Sequence, residues 1–132
     1  MAQKPLVAIV DDDDSVRRAT LSLLRSAGFD AAAFADAASF LGSATRASTS
    51  CLVADVRMPG MSGLDLHQAL AAAGTPIPTV LITAHPEDIA RSRAREAGIC
   101  CVLGKPFVAE ELLECIQRAL AMPRLGSSIP KS

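Results

Sequence analysis

Four apolar runs in this chain end in residues suited to handling a phosphoryl group. Cys51-Leu-Val-Ala ends in Asp55, and Leu6-Val-Ala-Ile-Val10 runs into Asp11-Asp12-Asp13-Asp14. Thr79-Val-Leu-Ile ends in Thr83, and Cys100-Cys-Val-Leu103 passes through Gly104 to Lys105-Pro106. Carboxylates gather a divalent cation, while a hydroxyl and an ammonium gather phosphoryl oxygens. If the runs are parallel strands, their carboxyl ends share one edge of a sheet, where ligands bind. The set points to phosphoryl chemistry at an aspartate. Asp55 is the single carboxylate at its strand end, placed to attack phosphorus and form an acyl phosphate. An aspartate that merely caps a loop is the competing account of it.

The elements that must position these residues follow from periodicity. Strand-length apolar runs alternate with segments of helical period, the pattern of right-handed βαβ units around a parallel sheet. Behind the first run, Val16, Ala19, Thr20, Leu23, Leu24 and Ala27 recur at helical spacing, with Arg17, Arg18, Ser22 and Arg25 on the other side. Asp13 or Asp14 can cap this helix and Gly28 can stop it. Asp30–Phe34 reads as a weak strand, because alanine is a poor strand former. Residues 36–45 read as a short Ala-rich helix and the Ser/Thr-rich stretch to Ser50 as a loop. A helix is expected from about Ser62 to Ala73, another from His85-Pro86 to near Gly98, and a last one after Pro106. In the last, Ala109, Leu112, Leu113, Ile116 and Leu120 form one apolar stripe. Five strands and five helices in strict alternation predict an α/β fold with a parallel sheet.

With 132 residues, half of them apolar, the chain suits one domain with a real core. Thirteen basic against 14 acidic residues leave a net charge of −1, so nothing in the totals supports nucleic-acid binding by this domain itself. No apolar stretch approaches the roughly 18 residues needed to span a bilayer. The start, Met-Ala-Gln-Lys-Pro, lacks a signal-peptide pattern, and a cytoplasmic location is expected. Cys51, Cys100, Cys101 and Cys115 form no C-x-x-C pair and have no histidine at ligand spacing. They read as small buried hydrophobes, with a zinc site or a redox pair as the lesser alternatives.

Taken together, Val-Asp11-Asp12-Asp13-x-x-Val-Arg17, Asp55-Val-Arg-Met-Pro59-Gly-x-x-Gly63, Ile-Thr83-Ala and Gly-Lys105-Pro106-Phe107 resemble the receiver domain of two-component response regulators. Asp55-Val-Arg-Met-Pro is most similar to receivers of the FixJ type, which usually precede a helix-turn-helix output domain. The resemblance implies a flavodoxin-like, doubly wound fold: a five-stranded parallel sheet in the order 2-1-3-4-5 with helices on both faces. It places a receiver over residues 1–122 and leaves 123–132 as a linker-like tail.

The same resemblance assigns roles. Asp55 would be the phosphoryl acceptor. Mg²⁺ would bind Asp12 and Asp55 directly, Arg57 through its backbone carbonyl, and Asp11 through water. Thr83 and Lys105 would bond the phosphoryl oxygens, and Pro106 would follow a cis peptide that aims the lysine. His85 is either a gate at the site or an exposed loop residue. His67 lies on a helix remote from the strand ends, where a surface role is expected. Where receivers commonly place Tyr or Phe, three residues before the lysine, this chain has Val102, which puts the usual ring-rotation readout in doubt.

The implied function is a signalling module. A sensor histidine kinase or phosphotransfer protein donates to Asp55, and the domain switches conformation to control an output or partner. A magnesium-dependent phosphohydrolase of the haloacid-dehalogenase type is the enzyme alternative. It needs Asp-x-Asp, but Arg57 stands two residues after Asp55. A phosphorylation-independent binding module is a third reading, and would be expected to lack part of the constellation. Arg91, Arg93 and Arg95 on one helix and Glu110, Glu111 and Glu114 on the next raise the prospect of a homodimer formed on phosphorylation.

Overall fold

Each apolar run becomes a strand. β1 (Leu6–Val10), β2 (Asp30–Phe34), β3 (Cys51–Asp55), β4 (Thr79–Thr83) and β5 (Ile99–Gly104) lie in the order β2-β1-β3-β4-β5. All four pairings are parallel. This is the computed structural model, and it describes residues 5–84 and 99–121. Among the described residues, four α-helices accompany the strands: α1 (Asp14–Ser26), α2 (Ala37–Leu41), α3 (Gly63–Ala72) and α4 (Ala109–Ala121).

The helices divide between the two faces of the sheet. Leu24 of α1 and Leu112, Cys115, Ile116 and Ala119 of α4 pack with Val7, Ile9, Val53, Val80 and Ile82. Phe40 of α2 and Leu66 and Leu70 of α3 pack with Ala8, Val10, Leu52, Ala54 and Leu81. Covered on both sides, β3 and β4 are buried along their whole length. That is why they read as unbroken apolar runs rather than alternating ones. The weak β2 forms because it pairs throughout with β1 and is flanked by Phe34, which meets Phe40 edge to face at 5.4 Å. Tertiary contact supplies what alanine's propensity lacks.

Local signals set the helix ends. Asp13, not Asp14, caps α1 by accepting the Val16 amide at 3.1 Å. Ser62 and Asp65 cap α3 reciprocally: the Asp65 amide donates to Ser62 Oγ and the Ser62 amide to Asp65 Oδ2.

Three expectations are corrected. The helix expected over 36–45 stops at Leu41, with Gly42 as its C-cap. Ala44–Ser48 is a short 3-10 helix rather than a loop, closed by the Ser48 and Thr49 hydroxyls donating to the Thr45 carbonyl. His67 is not a surface residue but is 1% exposed, wedged between α3 and the start of β4. His85, the helix expected from His85-Pro86 to near Gly98 with Arg91, Arg93 and Arg95, and the tail over 123–132 lie outside the described residues. No helix among the described residues is long and apolar enough to cross a membrane.

Candidate functional site

Parallel strands in this order bring the ends of β1, β3 and β4 to one edge, with Lys105 just past β5. Asp55 closes β3 and is 7% exposed; Asp11, one residue past β1, is 3% exposed. Asp12, the next residue, faces solvent. Each of the three carboxylates offers an oxygen within 4.8 Å of the other two. Thr83, last in β4, is 2% exposed.

Lys105 crosses to meet the acids. Its Nζ donates to Asp55 Oδ2 at 3.0 Å and stands 3.4 Å from Asp11 Oδ2. Its backbone is held too, since its amide donates to the Thr83 carbonyl at 2.7 Å. The Lys105–Pro106 bond is cis. The remaining Asp55 oxygen, Oδ1, accepts the Arg57 amide at 3.2 Å. Asp11 Oδ1 accepts the Asp13 amide at 2.9 Å.

Two supports of the edge belong to the quoted motifs, although the sequence does not say what they touch. Arg17 reaches back from α1 and donates to the Asp11 backbone carbonyl at 2.8 Å, while pairing with Asp14. It pins the turn that carries Asp11 and Asp12. Gly63 opens α3 against the sheet, and a Cβ there would lie 2.6 Å from the Asp55 carbonyl oxygen. Only a glycine lets the helix start so close to the strand end. The polar side of α1 and the repeated glycines of the loop were the available hints, but neither says what lies opposite.

The electrostatics are lopsided: three carboxylates gather at the edge, and the Lys105 ammonium meets two of them, Asp11 and Asp55. Burial pushes the Asp11 carboxyl up, and the negative Asp55 adds to it. The Asp13 amide and Lys105 offset this only in part. For Lys105, burial works against the charge, but its bond to Asp55 and the fields of Asp11 and Asp55 outweigh it, so the ammonium is held above its ordinary range. Packed like charges of this kind fit a hard divalent cation, which relieves their repulsion. The donor set is all oxygen, with Asp12 exposed enough to leave room for water. Mg²⁺ keeps several waters and needs only two or three protein ligands.

A family model for the response regulator receiver domain matches residues 7–117. The chain belongs to the response-regulator receiver family. Response regulator protein TodT of Pseudomonas putida is 39% identical over 127 residues, covering 96% of this chain and 56% of that protein. Nodulation protein W of Bradyrhizobium diazoefficiens is 41% identical over 121 residues, covering 92% of this chain and 53% of that protein. This chain thus spans about half the length of the curated relatives it matches. Among solved structures, FixJ-N superimposes with a TM-score of 0.82 at 34% identity, covering 94% of this chain and all of that one. The response regulator StyR gives 0.82 at 46% identity, covering 89% of this chain and 60% of that one.

Of the receiver's expected site residues, the fold draws Asp11, Asp12, Asp55 and Lys105 together and sets Thr83 at the same edge. Val102 sits half-buried in β5 against the α2–α3 face.

Proposed function

We propose that Asp55 accepts a phosphoryl group from a phosphohistidine on a sensor histidine kinase or phosphotransfer protein. The observation that carries this reading is the convergence of Asp55, Asp11, Asp12 and Lys105 on one strand edge. An Asp55 oxygen attacks phosphorus in line, the phosphorus–nitrogen bond breaks, and the imidazole leaves. Asp12 and Asp55, the Arg57 carbonyl and, through water, Asp11 would hold a Mg²⁺ ion, which would supply a positive charge against the transferring group. Lys105 then exchanges its carboxylate partner for a phosphoryl oxygen, and the Thr83 hydroxyl donates to another. Slow hydrolysis of the acyl phosphate resets the domain, so its only catalysis is on itself.

The modification adds a charge of roughly −1.5 to −2 at a single point. Thr83 and Lys105 are drawn toward it, which biases a pre-existing equilibrium between two conformations. Val102 lacks a ring to swing, so the readout relies on Thr83 and the residues that follow it. Residues 1–122 act as a cytoplasmic receiver, and 123–132 lead toward an output. Transcriptional control is the output proposed, because FixJ, 35% identical over 120 residues, is a transcriptional regulatory protein. A homodimer formed on phosphorylation would give the acidic Glu110, Glu111 and Glu114 of α4 a basic partner.

Incubation with acetyl phosphate and Mg²⁺, read by intact mass, tests the reaction. One phosphoryl addition is expected, lost with EDTA and absent from Asp55→Asn. Labelling that survives the substitution overturns the assignment.

A further inference from the structure

β5 breaks its alternation at one point, and two thiols come to stand side by side. Thr79 pairs with Ile99, but the next residue of β4, Val80, pairs with Cys101, which leaves Cys100 as an extra residue in β5. In a regular strand successive side chains point to opposite faces of the sheet. Here Ile99 and Val102 pack on the α2–α3 face, whereas Cys100 and Cys101 both pack on the α1–α4 face. Their sulphurs are 3.8 Å apart, and both residues are partly open to solvent.

Hydrogen bonds order the pair. The Cys100 thiol donates to the Cys115 backbone carbonyl at 3.8 Å. A carbonyl only accepts, so the Cys100 proton lies there, and the contact between the sulphurs is made by the Cys101 thiol donating to Cys100 Sγ. Cys101 Sγ in turn accepts from the Arg118 guanidinium at 3.9 Å. The chain of bonds leaves α4, passes through both sulphurs and returns to α4. Each thiol bond is weak, but together they hold both sulphurs, protonated, in one arrangement.

The spacing suits a single atom between the sulphurs rather than a bond joining them. Neighbouring Cα atoms stand about 3.8 Å apart, short of the roughly 4.4–6.8 Å that a disulfide spans. Two sulphurs bound to a common atom at about 2.3 Å, the zinc–thiolate length, and at a near-tetrahedral angle lie about 3.8 Å apart. Zinc itself takes four ligands in its structural sites. Among the described residues, three ligand groups converge only at Asp11, Asp12 and Asp55. A centre satisfied by two sulphurs, and one that accepts thiols with their protons, is the arsenic of a monosubstituted trivalent arsenical.

We propose that the adjacent, same-facing thiols of Cys100 and Cys101 form a covalent binding site for trivalent arsenicals. One sulphur adds to the arsenic of an arsine oxide, and its proton goes to the oxygen. The second sulphur then attacks, the arsenic–oxygen bond breaks, and the hydroxide leaves as water with the second thiol proton. Two arsenic–sulphur bonds form, one water departs, and arsenic stays trivalent, so no oxidant or reductant is needed. The bound group would sit where β5 meets α4.

The test is intact mass of the full, reduced chain after one equivalent of phenylarsine oxide. One adduct is expected, formed with loss of one water, resistant to a monothiol and stripped by dimercaptopropanol. Alkylation after denaturation should place four tags on the untreated chain and two on the adduct. Digestion with trypsin and a glutamyl endoproteinase should then find those two on Cys51 and Cys115. The adduct should be lost from Cys100→Ser and from Cys101→Ser and kept in Cys115→Ser, and the wild-type map decides the matter even if a variant fails to fold. Because only the folded chain prearranges the pair, the arsenical should also raise the melting temperature. With sulphurs on opposite faces, only the unfolded chain would chelate, and the melting temperature would drop. No adduct, a tag missing from Cys51 or Cys115, an adduct that survives either strand substitution, or a melting temperature that does not rise would each overturn the proposal.

Discussion

At the amino end of the sheet, His67 of α3 meets Thr79, the first residue of β4, with Nδ1 2.7 Å from the hydroxyl oxygen. That hydroxyl donates to the Ile77 carbonyl at 2.8 Å, so its oxygen accepts a hydrogen bond from Nδ1–H. At the carboxyl end, Asp11 and Asp55 are buried almost as deeply, yet both lean on a single ammonium. One end buries polar groups that complete one another; the other buries charges of the same sign. The first arrangement costs little and joins α3 to β4, because a buried polar group is expensive only when unpaired. The second holds its carboxylates in mutual repulsion, and that repulsion is what a cation and a phosphoryl group would relieve. Burial alone therefore does not mark a functional residue in this fold; burial beside like charge does.

The sharpest way to break this comparison is to neutralise each end in turn. Asp55→Asn should abolish labelling by acetyl phosphate, while His67→Ala should leave labelling of the folded fraction intact. In chemical denaturation the order reverses. His67→Ala should destabilise the protein by about 3 kcal/mol, from the cavity and the hydrogen bond that the Thr79 hydroxyl no longer accepts. Equal labelling losses in the two variants would erase the distinction between the ends.

Gly63→Ala links fold to site. The added Cβ would press on the Asp55 carbonyl oxygen, Leu81 and Ala54. A cost of about 2 kcal/mol is expected from overpacking, together with slower labelling because the acceptor strand end must shift. Normal labelling in the variant would mean that the strand end yields without moving the carboxylate.

A smaller effect should come from relieving the repulsion. Asp55→Asn in metal-free buffer should gain about 1 kcal/mol, since one of three crowded charges disappears. Millimolar Mg²⁺ should raise the melting temperature of the wild type, and less so that of Asp12→Ala. Equal shifts would move the cation elsewhere.

The smallest effect is a pH slope. The Asp11 carboxyl is pushed up on folding, chiefly by burial, so the folded chain holds that proton more tightly than the unfolded chain. Stability of the metal-free protein should thus fall as pH rises from about 4, where an ordinary aspartate titrates, through the raised folded value. Asp11→Asn should flatten that slope in urea titrations.

The carboxyl edge was legible in the sequence because chemistry demands particular residue types at run ends. Asp55, Thr83 and Lys105 each terminate or follow an apolar run, and an open parallel sheet leaves one place for such ends. The sheet itself was legible for a similar reason, since β3 and β4 are apolar throughout and must be covered on both faces. The amino end was not. A lone histidine in the segment of helical period over 62–73 carries no mark of the threonine 12 residues on that covers it. The bulge in β5 was hidden too, because Cys100-Cys-Val-Leu103 reads as regular strand in any register. Gly42 gave a local reason for α2 to end early, but the Ala-rich text around it suits a helix on both sides.

The most direct test of the central claim is to trap the acyl phosphate and find its position. Protein treated with acetyl phosphate and Mg²⁺ is reduced with sodium borohydride, which converts a phosphorylated aspartate to homoserine, and is then mapped by peptide fragmentation. The account predicts homoserine at position 55 alone, in a yield that falls to background with EDTA. Homoserine at position 11 or 12, or an equal yield without the metal, would contradict it.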